Sequence, residues 1–102
     1  MKSVDFSPLA EADAASALEY YFEEAPHMVG AFRNELARAV GFIAENPGAG
    51  SPRYSIIPGL RFWTLNRFPY AVFYIELDAG IDVIRVLHQR ADIPARLQGG
   101  AT

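Results

Sequence analysis

Apolar residues return every three or four positions along the first half of the chain, and every second position along much of the rest; this change predicts helices followed by strands. Residues 2–6 come first, with Val4 and Phe6 on one face of a short strand. Ser7-Pro8 then suits a helix start, since the serine hydroxyl caps free amides and proline at the first helical position needs no donor. Leu9, Ala12, Ala15, Leu18, Phe22 and Ala25 mark the predicted buried stripe, with Glu11, Asp13, Glu19 and Glu23 off it, and Ala25-Pro26 ends the helix. A second helix is predicted over 27–45, buried through Met28, Phe32, Leu36, Ala39, Val40 and Ile43. Gly30 and Gly41 each weaken it by about 1 kcal/mol relative to alanine, which suggests close approach of the neighbouring helix. Asn46-Pro-Gly-Ala-Gly-Ser-Pro52 breaks the helix, and so short a link between the two helices makes them an antiparallel hairpin.

Beyond the loop, strands are predicted over 53–57, 61–66, 70–77 and 81–87. In the third, Ala71, Phe73, Ile75 and Leu77 define the face assigned to the core, leaving Tyr70, Val72, Tyr74 and Glu76 for solvent or a partner. Asp78-Ala-Gly80 is a hairpin turn, and the last strand is apolar on both faces except at Arg85, as a central strand would be. Asp92 is placed to cap a short helical turn, and residues 98–102 are expected to fray. The predicted class is α+β: an N-terminal strand and an antiparallel two-helix hairpin packed on one face of a mainly antiparallel four- to five-stranded sheet.

The 102 residues suit a single domain, and 51% hydrophobic with 21% charged residues is a globular balance. With no cysteine there is no disulfide framework or thiolate chemistry, and the His and carboxylate spacings match no metal site, so neither metal nor cofactor is expected. No signal-like or membrane-spanning apolar run is present, and the expected setting is the cytoplasm, without membrane association. The net charge of −3 is divided unevenly: residues 1–52 carry three basic and eight acidic groups, residues 53–102 six arginines and four acids. Such a split either serves two surfaces with different partners or is a functionless scatter.

Four stretches carry a resemblance: Phe6-Ser-Pro-Leu-Ala-Glu-Ala-Asp13; Ile43-Ala-Glu-Asn-Pro47; Pro58-Gly-Leu-Arg61 with Asn66-Arg-Phe-Pro-Tyr70 and Phe73-Tyr74; and Val83-Ile-Arg-Val-Leu-His88 with Arg90-Ala-Asp92. In order and spacing they resemble the ParE branch of the RelE/ParE toxin superfamily, of plasmid-stabilisation type. The resemblance implies the toxin of a type II toxin–antitoxin pair. A small ParD-like antitoxin, with a DNA-binding N-terminal part, would wrap it in a hetero-oligomer. ParE members are associated with inhibition of DNA gyrase, RelE members with cleavage of messenger RNA on the ribosome.

Candidate residues bear on that fork. RelE-like cleavage requires basic groups around the scissile phosphate, with a general base and an acid. Here the only lysine is Lys2, and Arg53 is the sole basic residue between Gly48 and Gly59. A net negative chain also gains little affinity for a ribosome, so a binding toxin is favoured over an enzyme, without sequence-specific nucleic-acid binding of its own. A nuclease would have to use Arg61, Arg85 and His88; a binding toxin would use Arg61, Trp63, Phe68, Tyr74, Arg85 and Arg90 on its partners. Each has a structural alternative: the arginines pairing with internal acids such as Glu76 or Asp82, the aromatics filling the core, His88 bonding at a strand end, Arg90 merely solvated. His27 is expected to be solvated, and no glycine-rich phosphate loop is present. Three functions follow: a gyrase-inhibiting binding toxin first, a RelE-like endoribonuclease second, and an inactive scaffold third.

Overall fold

The structure is a computed structural model and describes residues 2–54 and 56–99. Strand β1 (Ser3–Phe6) leads into helix α1 (Pro8–Glu24); a single 3₁₀ turn at Pro26–Met28 reverses the chain into α2 (Val29–Glu45). Strands β2 (Leu60–Thr64), β3 (Tyr70–Glu76) and β4 (Gly80–His88) follow, then helix α3 (Ile93–Gly99). The sheet order is β1-β4-β3-β2, with β1 parallel to β4 and the other pairs antiparallel. The α+β class is as the periodicity predicts. Four strands are present among the described residues rather than five.

The missing strand is the one predicted over 53–57. Ser51 exchanges two 2.9 Å backbone hydrogen bonds with Phe62 and so occupies the edge of β2 by itself. The chain then leaves the sheet at Pro52, and Tyr54 and Ile57 pack on the sheet's outer face instead. Gly59, at φ 80°, turns it back into β2 in a backbone conformation that side chains resist.

Two cores flank the sheet. Phe32, Ala39 and Ile43 of α2, with Ala10 and Ala17 of α1, close over Val72, Tyr74, Ile81, Val83 and Val86. On the other face α3 brings Ile93 and Leu97 onto Leu60, Ala71, Phe73 and Leu87. Both faces of β3 are therefore buried, and the face assigned to solvent, with Val72 and Tyr74, is the one beneath the helical hairpin. Leu77, expected in the core, is 46% exposed at the β3–β4 turn.

The largest departure from the predicted pattern lies in α1. Ala10 and Ala17 are buried, while Leu9, Ala12, Ala15 and Phe22 face outward. Polar anchors set this orientation. Strand β1 ends at Phe6, so beyond Val83 the edge of β4 lacks a strand partner, and α1 supplies side chains in its place. Ser7 Oγ donates to the Ile84 carbonyl at 2.7 Å and accepts from Ala10 N at 3.0 Å, and Asp13 accepts from Val86 N at 3.0 Å. Capping that edge requires Asp13 to point inward, which turns the leucine and phenylalanine out. In α2 the predicted stripe is the one that packs inward. Its glycines do not mark close approach: a Cβ at Gly30 or Gly41 would meet nothing within 4 Å.

The connection between β2 and β3 is pinned to α2. Glu35 accepts from Asn66 N at 2.7 Å and from Arg38 Nη2 at 2.7 Å, and Arg67 takes a left-handed φ of 70° at the tip. Asp92 caps α3 by accepting from Ala95 N at 3.2 Å. Gln98 and Gly99 complete that helix; the rest of the predicted frayed tail, 100–102, lies outside the described residues.

Candidate partner-binding surface

Arg85 is 7% exposed. Its guanidinium donates to Asp13 through Nε at 2.7 Å and Nη2 at 2.9 Å, and through Nη1 to the Arg96 carbonyl at 2.8 Å. Donation to Asp13 holds the arginine's pKa above its ordinary value, against the desolvation that lowers it. The internal partner is thus Asp13 of α1 rather than Glu76 or Asp82, at a point where the β3–β4 register shifts between Phe73 and Tyr74. With its three nitrogens committed, this side chain joins α1, β4 and α3 and presents no fork to a phosphate or a partner.

Phe68 and Tyr74 are likewise interior. Phe68 meets Tyr21 and Phe32 edge to face, at centroid separations of 5.5 and 5.3 Å. The Tyr74 hydroxyl donates to the Pro47 carbonyl at 2.7 Å and accepts from Gly50 N at 2.9 Å, fixing the loop after α2. Burial raises the pKa of this phenol. A Cβ on Gly50 would lie 2.5 Å from the hydroxyl, so only glycine fits there. Phe68, Tyr74 and Arg85, expected on the partner surface, are removed from it by burial.

The remaining candidates are scattered. Arg61, half-buried, donates to the Gly50 carbonyl at 2.8 Å, and Trp63 stacks on Phe42 at 4.8 Å. Arg90 is exposed, and its amide donates to His88 Nδ1 at 3.0 Å; His27 is exposed. Arg61, Arg85 and His88 are each engaged by a different element, and no general-base and phosphate-clamp arrangement brings them together. Among the described residues no group of three or more His, Asp or Glu could hold a metal ion. Nor is any described helix long and apolar enough to cross a membrane.

Among the described residues the most exposed large apolar side chain lies elsewhere. Phe22, 70% exposed, stands over a groove of about 320 Å³ between α1 and α2, lined by Leu18, Glu19, Phe22, Val29 and Arg33. Glu19 gives the groove an acidic side on α1, and Arg33 supplies a cation from α2. Leu18 and Phe22 belong to the stripe that periodicity assigns to the core, so this surface escapes a reading by pattern. The signal that points to it is the competing inward set Ala10, Ala14, Ala17 and Tyr21, at equally good helical spacing.

Comparison with known proteins agrees with this architecture. Residues 4–93 match the family model of the ParE toxin of the type II toxin–antitoxin system parDE. Toxin ParE1 of Mycobacterium tuberculosis, in two strains, is 39% identical over 67 residues, a stretch covering 65% of this chain and 66% of the relative, just short of two thirds of its length. A chain of the chromosomal ParDE toxin–antitoxin system from P. aeruginosa superposes with a TM-score of 0.73 at 25% identity, over 86% of this chain and 96% of that one. With the helical hairpin, the mixed sheet and a family match over most of its length, this chain belongs to the ParE toxin family of type II toxin–antitoxin systems.

Proposed function

We propose that this ParE-family chain works by binding rather than by catalysis. A cognate antitoxin segment covers the α1–α2 groove, and DNA gyrase is the target that the toxin inhibits when unbound. The observation that carries the reading is the outward-facing Phe22 beside an apolar groove flanked by opposite charges. Exposed aromatics of this kind anchor protein interfaces. The complementary segment is an amphipathic helix or strand with apolar anchors for Leu18 and Val29, basic residues for the Glu19 side and an acid for Arg33. Commitment of Arg85 to Asp13 further supports binding over a RelE-like endoribonuclease.

Isothermal titration with the cognate antitoxin tests the docking surface. Phe22→Glu should weaken binding by about 2 kcal/mol or more while leaving the circular dichroism spectrum unchanged, the scale of a buried interface anchor. Wild-type affinity in that variant would remove the groove from the interface. A supercoiling assay with purified gyrase tests the target, expected to show inhibition that antitoxin relieves. Cut messenger RNA on translating ribosomes, without gyrase inhibition, would replace the binding reading with the nuclease.

A further inference from the structure

A second cavity, of about 250 Å³, opens where α1, the end of β4 and α3 meet, on the opposite flank of α1 from the antitoxin groove. Its polar wall is formed by Asp13, Ser16, Tyr20, Tyr70, His88 and Arg96. Asp13, the sole carboxylate among these, already accepts three hydrogen bonds and is neutralised by Arg85. The other five can all donate, Arg96 as a cation, and the three hydroxyls can also accept. Ser16, Tyr20 and Arg96 are exposed at the rim. Among the described residues no hydrogen bond joins the hydroxyls of Ser16, Tyr20 and Tyr70 or the Arg96 guanidinium to another protein group, which leaves them open to a ligand from solvent. His88 accepts from Arg90 N through Nδ1, which leaves Nε2 as its N–H. The Tyr70 and His88 rings meet edge to face at 5.2 Å, so these two donors are held in fixed relation. Arg96 is anchored from behind, its carbonyl receiving Arg85 Nη1 at 2.8 Å.

Five side chains able to donate, one of them a cation without an ion pair among the described residues, over an apolar floor at Ala17 and Val86, suit an acceptor-rich anion. The donors outnumber what the two oxygens of a carboxylate would use, whereas a phosphoryl group offers three or four oxygens on a tetrahedron. The cavity also leaves room for a small organic substituent. We propose that this corner binds a phosphoryl group, carried by a small phosphate monoester or as free phosphate, at a site separate from the α1–α2 groove.

Amide and ring NMR shifts of the full chain, titrated at constant ionic strength with inorganic phosphate, glycerol phosphate and acetate, test this site. Saturable shifts confined to Tyr20, Tyr70, His88 and Ala91 are expected for both phosphates, with acetate at least about tenfold weaker. Tighter binding of glycerol phosphate would identify the monoester as the ligand, and equal binding would assign the site to free phosphate. Arg96→Gln, which retains the backbone carbonyl used by Arg85, should weaken phosphate about tenfold or more, and Arg90→Gln outside the cavity should not. Equal losses in the two variants, acetate binding as tightly as phosphate, or shifts that never saturate would overturn the proposal.

Discussion

Removal of Asp13 isolates the energetic role of the Arg85 pair. In the folded chain the carboxylate answers three donors at 2.7, 2.9 and 3.0 Å. Side-chain exposure is only 8% for Arg85 and 14% for Asp13. Asp13→Ala leaves the guanidinium with the Arg96 carbonyl alone and Val86 N without an acceptor. Breaking a buried ion pair from one side costs about 3–5 kcal/mol, against about 0–1 kcal/mol for an exposed one. A domain of this size is stable by about 5–15 kcal/mol in total. The variant should therefore lose a large share of its stability, with Tm falling by at least about 12 °C. In the double variant Asp13→Ala/Arg85→Met the stranded charge is absent, and most of that loss should be recovered. Urea denaturation followed by circular dichroism, over the full double-mutant cycle, measures both quantities. A loss under about 1 kcal/mol for Asp13→Ala, or a double variant that falls by the sum of the single losses, would refute a buried, mutually dependent pair.

Further outcomes follow from the same geometry. Gly41→Ala, placed in mid-helix with nothing within 4 Å of the added methyl, should stabilise by about 0.5–1 kcal/mol in the same denaturation assay. Gly50→Ala should destabilise by at least about 1–3 kcal/mol, because its Cβ would displace the Tyr74 hydroxyl and strand Pro47 O. Tyr21, Tyr70 and Tyr74 all have pKa values raised by burial above the unfolded 10.0. The folded state thus holds those protons more tightly, and their stabilising contribution is complete below pH 10 and lost as the pH climbs through the folded values. Alkaline denaturation should steepen above that point and be shallower in Tyr74→Phe, with chemical denaturation at several pH values as the measurement. Arg67→Gly, relieving a φ of 70°, should stabilise by up to about 1 kcal/mol, and an equal loss would show that the arginine side chain outweighs its backbone strain.

The order and type of the elements were largely legible in the sequence, since Ser7-Pro8, Ala25-Pro26, Asn46-Pro47 and Asp78-Ala-Gly80 punctuate the chain chemically. The faces were less so. Five alanines among the seventeen residues of α1 give two plausible apolar stripes, and the choice between them is made by Ser7 and Asp13 bonding to a strand more than seventy residues away. Periodicity sees only hydrophobic burial, and a carboxylate turned inward to cap a sheet edge reverses which side of the helix is buried. The same blindness applies to Tyr74 and Arg85: a polar side chain in a strand reads as surface until its internal partner is known. The tract 53–57 has strand-forming residues, yet Ser51 has already taken the edge of β2 that it would have needed.

The strand that holds the sheet together is also the last in sequence among the described strands. β4 lies between β1 and β3, and the hydrogen bonds that tie Ser7 and Asp13 to the sheet end on it. Until residues 80–88 have joined, the N-terminal strand has no neighbour and the first helix no fixed azimuth, so the apolar surfaces of α1 and β3 stay uncovered together. Closure therefore waits on a few contacts between distant parts of the polypeptide, a topology that slows folding and favours association of unfinished chains. Truncation ahead of Gly80 should leave an aggregating fragment rather than a smaller toxin.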